Sequence, residues 1–313
     1  MNLNFIGNKN KFFGFSISVI VLIIIATIIN GVKLDIQFQG GYIFTYSYDG
    51  EVDKDRLESE VSKALNKQVS VQKTTDITSG SNRVVISFGA DKSLDDKMQQ
   101  NLKNLLNNKF SKNNFKEIQV NNVDPIVGKE FFAKCMVAVV FAAVVMIIYI
   151  AIRFKKIGGL SAGVTAVIAL IHDVILVYGT FIILKLPLND HFIAAALMIL
   201  GYSVNDTIVI YDRIRENKKI HGSKIPFGEL VNKSINQSFT RTINTTVTTV
   251  LSVLIVLIVA YIRGVNSIVS FVLPLMVGMI AGTYSTICIA GPLWVVWRER
   301  EKQKRLSKIS NSK

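Results

Sequence analysis

Asp206 lies inside an apolar run that continues through Ile208, Val209, Ile210 and Tyr211, and the polar segment Asp212, Arg213, Ile214, Arg215, Glu216, Asn217 follows at once. A carboxylate within a membrane span costs roughly 2.5–3.5 kcal/mol on insertion scales, so its default reading is functional. The chemistry open to it is ion exchange, with a proton or a cation as the exchanged species. Tyr202 and Ser203 precede it by four and three residues on the same helix face. With the adjacent Asn205 they line a polar seam.

A second polar line begins at Arg241 and continues through Thr245, Thr248 and Ser252, at steps of 4, 3 and 4 residues, with Asn244 beside it. That spacing lays hydroxyls down one face of a helix. A cation opening one polar face and an Asp closing another on the antiparallel neighbour are natural partners for a switchable ion pair. A third apolar run contains His172 and Asp173. Imidazole changes charge near physiological pH and buried carboxylates hold protons more tightly, so this pair also suits proton handling, unless His172 only holds Asp173 in place. Single hydroxyls in spans often serve as helix–helix glue worth about 0.6 kcal/mol each, which suffices for Thr248 or Ser252 taken alone. It does not suffice for Asp206 and Arg241.

These groups need membrane helices to hold them. Half of the 313 residues are hydrophobic, gathered into six blocks at roughly 12–31, 131–152, 160–184, 188–211, 243–262 and 269–297. Each reaches the ~20 residues that cross a bilayer core, so the chain reads as an α-helical polytopic membrane protein with six transmembrane helices. The first block exceeds the usual h-region of about 7–15 residues and lacks a small-residue cleavage pattern, so it reads as a retained span and not as a signal peptide. The net charge of +14 collects in alternate loops, after the second, fourth and sixth blocks. That pattern reads as topology and not as a nucleic-acid surface, and it puts both termini in the cytoplasm. The organisation expected is a cytoplasmic N-terminus and first span (1–32), an extracytoplasmic domain (33–130), spans two to six (131–297) and a basic cytoplasmic tail (298–313). Gly278, Gly282 and Thr286 form a small-xxx-small ridge suited to close packing. Trp294 and Trp297, next to the basic tail, read as interfacial anchors.

Within the insert, residues 35–48 read as a strand with a bulge or close approach at Gly40 and Gly41. Asp53 caps a helix whose apolar face carries Leu57, Val61, Ala64 and Leu65. Val69 and Val71 mark a second strand, a turn at residues 78–82 leads to a third at Val84 to Phe88, Ser93 caps a second helix with Leu102, Leu105 and Leu106, and residues 115–123 form a fourth strand. The order βαββαβ is that of an α+β ferredoxin-like domain, a scaffold that hosts many functions. It carries no metal-ligand spacing, phosphate loop or nucleophile arrangement. Neither it nor the spans contain a P-loop or HExxH motif, so the chain does not read as an enzyme.

The run GYSVNDTIVIYDRIREN at residues 201–217, from Gly201 to Asn217, closely resembles the signature of the SecF family, membrane subunits of bacterial Sec export. His172-Asp173, the residues ending the second block, Arg241-Thr242 and the Gly40-Gly41 pair support the resemblance. It implies a multi-pass protein of the bacterial inner (plasma) membrane that pairs with SecD in a proton-driven complex of the RND superfamily. That complex helps preproteins leave the SecYEG channel after the SecA ATPase has pushed them in. It puts the proton pathway on Asp206 and Arg241, with Asp173 in a family motif, and the signature itself on Gly201, Asp212, Arg213, Arg215, Glu216 and Asn217. No cofactor is implied beyond the coupling ion, H⁺ or Na⁺. Two positions depart from the family pattern: Gln37 stands where an Asp is usual, and Asp124 where a Gly is usual. The rival class is a stand-alone proton-coupled exporter of small apolar molecules, disfavoured by the single outer domain and the lack of internal duplication.

Overall fold

The computed structural model describes residues 3–67, 69–75, 81–89, 96–222 and 224–310. The turn residues 78–80 and the cap at Ser93 lie outside these. Among the described residues, six helices are long and apolar enough to cross a membrane: α1 (Lys9–Asn30), α5 (Pro125–Arg153), α6 (Gly159–Ile183), α7 (Asp190–His221), α8 (Phe227–Ile262) and the run formed by α9 (Asn266–Ser285) and α10 (Gly291–Ser310). The protein is a multi-pass membrane protein. α6, α7 and α9 bury more than half of their apolar stretches against one another, whereas α1, α5 and α8 pack on the outside and leave most of theirs exposed. With lipid or a partner as solvent, those outer faces have no reason to be polar.

Glycines set how closely the inner helices approach. A Cβ on Gly278 would stand 2.7 Å from side-chain atoms of Ile199 and Val177, and one on Gly282 2.9 Å from Ser203 Cβ. The ridge expected in the sixth span is therefore a packing surface. Between α9 and α10 the helix widens into a π-helical turn, Thr286–Ala290, of the kind often found at functional positions.

Several helices run past the apolar blocks. α7 continues to His221 and α8 starts at Phe227, so both project beyond the bilayer-length core. The extension is held by polar contacts: Asn217 Nδ2 donates to Ser234 Oγ at 2.8 Å and to Gln237 Oε1 at 2.7 Å, and Arg213 Nε donates to the same Gln237 oxygen at 2.8 Å. Asn232 and Asn236, one turn apart on α8, clamp the N-terminal segment. Leu3 N donates to Asn236 Oδ1 and Phe5 N to Asn232 Oδ1, each at 2.8 Å, and both side-chain amides donate back to Leu3 O. Trp294 is no interfacial anchor: it is fully buried, 4.8 Å between ring centroids from Tyr211, with Nε1 donating to Ser161 Oγ at 3.0 Å. Its indole N–H finds a partner inside the bundle, which leaves Trp297, one turn on, as the exposed ring.

The insert has β1 (Gly41–Tyr48), α3 (Lys54–Leu65), β2 (Val69–Thr75), β3 (Asn82–Gly89), α4 (Asp96–Lys109) and β4 (Lys116–Val123) in a small antiparallel sheet of order β2-β3-β1-β4. Leu57, Val61 and Leu65 from α3 and Leu102 and Leu106 from α4 bury one face of it over Phe44, Tyr46, Val84 and Ile86. Ala64 is exposed instead, because the helix needs only a narrow stripe to cover the sheet.

Residues 35–48 are not one strand. Ile36–Gln39 form a short helix, α2, capped by the Asp35 carboxylate, which accepts from Gln37 N at 3.1 Å. Phe38 turns into the bundle, stacked on Phe131 at 5.8 Å, and the strand starts only after Gly40. Gly41 allows that entry: at φ +147° a Cβ there would meet Phe88 O at 2.3 Å. The ladder irregularity lies elsewhere, between Thr45 and Tyr46 on the β4 side.

Asp35 also joins the insert to the bundle, since its N–H donates to Leu188 O at 2.9 Å in the turn before α7. Burial, and then the nearby Asp190 carboxylate, raise its carboxyl above the ordinary 3.8, against the Gln37 N–H that favours the anion. The folded state thus holds this proton more tightly than the unfolded chain. Asp35's contribution is complete below the unfolded value and is lost as pH rises through the folded one. Asn caps a helix as well as Asp does, so Asp35→Asn is expected to raise the thermal midpoint of the purified protein at neutral pH. The advantage should shrink to nothing as the pH is lowered towards about 4.

Candidate functional site

α6, α7 and α9 meet at Asp173, which has no exposed surface. Its Oδ2 accepts from Ser203 Oγ of α7 and from Ser285 Oγ of α9, each at 2.8 Å, and its Oδ1 lies 3.2 Å from His172 Nδ1. Three helices are thus tied to one carboxylate, a dense network for an apolar environment.

The network continues along the inner faces. Thr207 Oγ1 and Thr286 Oγ1 lie 3.1 Å apart, and both hydroxyls donate to Ser203 O, at 3.1 and 3.4 Å. Thr286 belongs to the π-helical turn, where the widened backbone lets its hydroxyl reach across to α7. On the α8 side, Thr246 Oγ1 lies 2.6 Å from Thr283 Oγ1 of α9 and accepts from Tyr202 OH at 3.3 Å.

Asp206 sits beside this network without joining it. It is 3% exposed, and its Oδ2 is buried with no hydrogen-bond partner among the described residues. The contacts Tyr202 to Thr246 and Asn217 to Ser234 set the antiparallel register of α7 against α8, which brings Thr242 level with Asp206. The Thr242 hydroxyl is also buried and unpartnered. Two orphaned polar atoms at one level of a helix pair are costly, by about 1–3 kcal/mol each, and tend to mark working positions.

Arg241 does not close that gap. Among the described residues no ion pair within 4.0 Å joins it to Asp206, and its side chain is exposed on the outer face of α8. Asn244, Thr248 and Ser252 are exposed with it, while Thr245 is half-buried. The hydroxyls of Thr245, Thr248 and Ser252 donate to backbone carbonyls of their own helix. The inward face of α8 is the neighbouring one, with Ser238, Thr242 and Thr246. The residues at steps of 3 and 4 do share a face, but periodicity alone does not say which way a face points. Asn205 is likewise exposed and outside the seam, as is Gly201, whereas Ser203 is buried and Tyr202 half-buried.

The charged end of the 201–217 run is a brace. Asp212 pairs with Arg153 of α5 at 3.3 Å and with Arg215 at 2.7 Å, and Arg213 pairs with Glu216 at 2.6 Å. Ser285, Thr207 and Thr283 went unnoticed in the sequence, and Thr286 was read only as part of a packing ridge; the only signal for them is hydroxyls recurring within otherwise apolar runs.

A family model described as "Protein export membrane protein SecD/SecF, C-terminal" matches residues 102–300. The SecF protein translocase subunit of Sebaldella termitidis is 32% identical over 98% of this chain and 96% of its own length, and that of Petrotoga mobilis 33% identical over 96% and 98%. The chain belongs to the SecF family of protein translocase subunits. Two solved structures are similar in three dimensions. SecDF from Thermus thermophilus, described as translocon-associated, has a TM-score of 0.78 at 28% identity, and SecDF in its super-membrane-facing form 0.68 at 29%. They cover 96% and 98% of this chain, which in turn spans about two fifths of theirs, 39% and 40%. These relatives are protein translocase subunits, which favours protein transport over the small-molecule exporter reading. Of the two departures from the family pattern, Asp124 has a local reason: it caps α5, accepting from Ile126 N at 2.8 Å ahead of Pro125. Gln37 lies in α2, where its N–H donates to the Asp35 carboxylate.

Proposed function

We propose that the chain works as the SecF half of a two-subunit machine, with SecD, that uses the proton-motive force to promote preprotein export through SecYEG after SecA has acted. The observation that carries this reading is Asp206, a buried carboxylate with an unpartnered oxygen between two long helices. Protonation of such a group removes a charge where solvent cannot compensate, and so shifts the balance between two packings of α7 against α8. Asp173 and His172 form a second proton-holding point, and Arg241 supplies the counter-charge from outside the seam.

SecD is the partner that completes the site. Arg241, Asn244, Thr248 and Ser252 make a polar line on the exposed face of a helix that is otherwise strongly apolar. Lipid is a poor neighbour for such a line, and a partner helix or a water-filled crevice is a good one. In the bacterial inner membrane both termini would be cytoplasmic and residues 33–130 extracytoplasmic. The insert is a ferredoxin-like domain, supported by its βαββαβ order and its β2-β3-β1-β4 sheet with both helices on one face. Rocking of that domain about the Asp35 to Leu188 tie would act on the emerging preprotein.

The coupling ion is H⁺ or, through the same carboxylate and hydroxyls, Na⁺. Vesicles containing this chain, SecD and SecYEG are expected to complete export under an imposed H⁺ gradient alone. A response to Na⁺ alone would reassign the ion, and a response to neither would end the coupling proposal.

A further inference from the structure

We propose that a basic pocket at the end of the bundle opposite the insert binds the phosphate headgroup of an anionic phospholipid. α7 ends and α8 begins there, and α10 runs past. Lys218 in the last turn of α7, Lys224 in the connection, and Arg298, Lys302 and Arg305 on α10 line one cavity. The three α10 residues recur at steps of 4 and 3, so they share a helix face. Cations therefore converge from two parts of the chain far apart in sequence, the end of α7 with the connection after it, and α10.

The floor of the pocket is apolar, made by Ile225, Phe227 and Leu230, with the Arg298 guanidinium over the Phe227 ring at 5.7 Å. α8, 36 residues long, begins at this floor. Its N-cap is Pro226, which makes no side-chain cap hydrogen bond, so the N–H groups of the first turn lack the usual acceptor. The first turn carries one carboxylate, Glu229, and a helix N-terminus without a cap hydrogen bond favours phosphate oxygens. Two carboxylates, Glu299 and Glu301, also line the cavity. Glu301 is already engaged, accepting from Trp297 Nε1 at 2.9 Å and lying 3.8 Å from Arg298. Five cations face two acids, and the excess is positive.

Lipid is favoured over a soluble phosphate by position. Next to Arg298, at the same depth but on the other side of α10, is the exposed Trp297, the residue type that settles at headgroup level. An aliphatic and aromatic floor beneath a ring of cations matches the glycerol and first acyl carbons beneath a phosphate. Basic pockets between helices on the cytoplasmic side of membranes take such headgroups. A lipid seated here would join α10 to the connection between the helix that carries Asp206 and the one that carries Thr242. The proposal does not depend on the export reading.

The test is lipid retention by the purified full-length chain in detergent, read by native mass spectrometry after incubation with phosphatidylglycerol or phosphatidylcholine. The wild type is expected to retain phosphatidylglycerol selectively, and K302A/R305A to lose that retention by on the order of tenfold. R300A/K304A removes equal charge from the other side of α10, outside the pocket. It should keep wild-type retention. Equal losses in the two double variants, or no preference for the anionic lipid, would overturn the assignment. So would full displacement of the lipid by millimolar inorganic phosphate, which would identify a soluble anion as the ligand.

Discussion

Asp206→Asn is expected to abolish the stimulation of preprotein export by a proton-motive force while leaving the protein as stable as the wild type, or more so. The two halves of this result have separate causes. Asn is close to Asp in shape but cannot exchange a proton, so the step that senses the gradient is lost. One charge crossing 100 mV is worth about 2.3 kcal/mol, a bias of roughly 50-fold between two states, and that is the scale of the coupling at stake. Stability should not fall, because the Asp206 Oδ2 has no hydrogen bond to lose and a neutral amide is cheaper to bury than a carboxylate. The measurement is completion of preprotein export in vesicles with and without a gradient, paired with thermal unfolding in detergent. Wild-type coupling in the Asn variant would remove Asp206 from the pathway. A collapse in stability would show that its role is structural.

Asp173 should behave in the opposite way. Asp173→Ala leaves the Ser203 and Ser285 hydroxyls and the His172 ring without the acceptor that joins α6, α7 and α9. Leaving a buried hydrogen-bonding group without its partner costs about 1–3 kcal/mol, so orphaning two serine hydroxyls and the imidazole should cost about 3 kcal/mol or more. That corresponds to a drop of roughly 6–12 °C in the thermal midpoint. Asp173→Asn keeps an oxygen able to accept from both serines and is expected to fold. Export by the Asn variant then decides the assignment: retained coupling makes Asp173 a structural hub, and lost coupling makes it a second proton carrier. If the Ala variant unfolds no earlier than the wild type, the hub does not carry the packing argued here.

Much of this was legible in the chain itself. Six apolar blocks of bilayer length can only be helices, because every backbone N–H and C=O must be satisfied within the segment. The element order of the insert followed from alternation in the strands and a 3.6-residue stripe in the helices, and Asp53 was a readable cap, accepting from Asp55 N and Arg56 N. Residues 35–39 misled because Ile36 and Phe38 alternate as in a strand. Asp35 instead caps a single helical turn, and the bundle takes Phe38. Residues near the tail misled similarly: two tryptophans beside basic residues match an interfacial belt, yet the ring of Trp294 completes the packing around Tyr211 and finds Ser161.

The amino-acid sequence by itself determined the membrane class, the number and order of the spans, the SecF signature and the identity of the costly groups Asp206, Arg241 and Asp173, since each follows from composition and local spacing. Only the tertiary structure decided which face of α8 turns inward, that Arg241 and its line of hydroxyls stay on the outside, and that Asp206 is left unpaired opposite Thr242. A helical period defines faces but not their direction. Direction comes from close packing between helices, here from Gly282 against Ser203 and from the π-helical turn that brings Thr286 to α7.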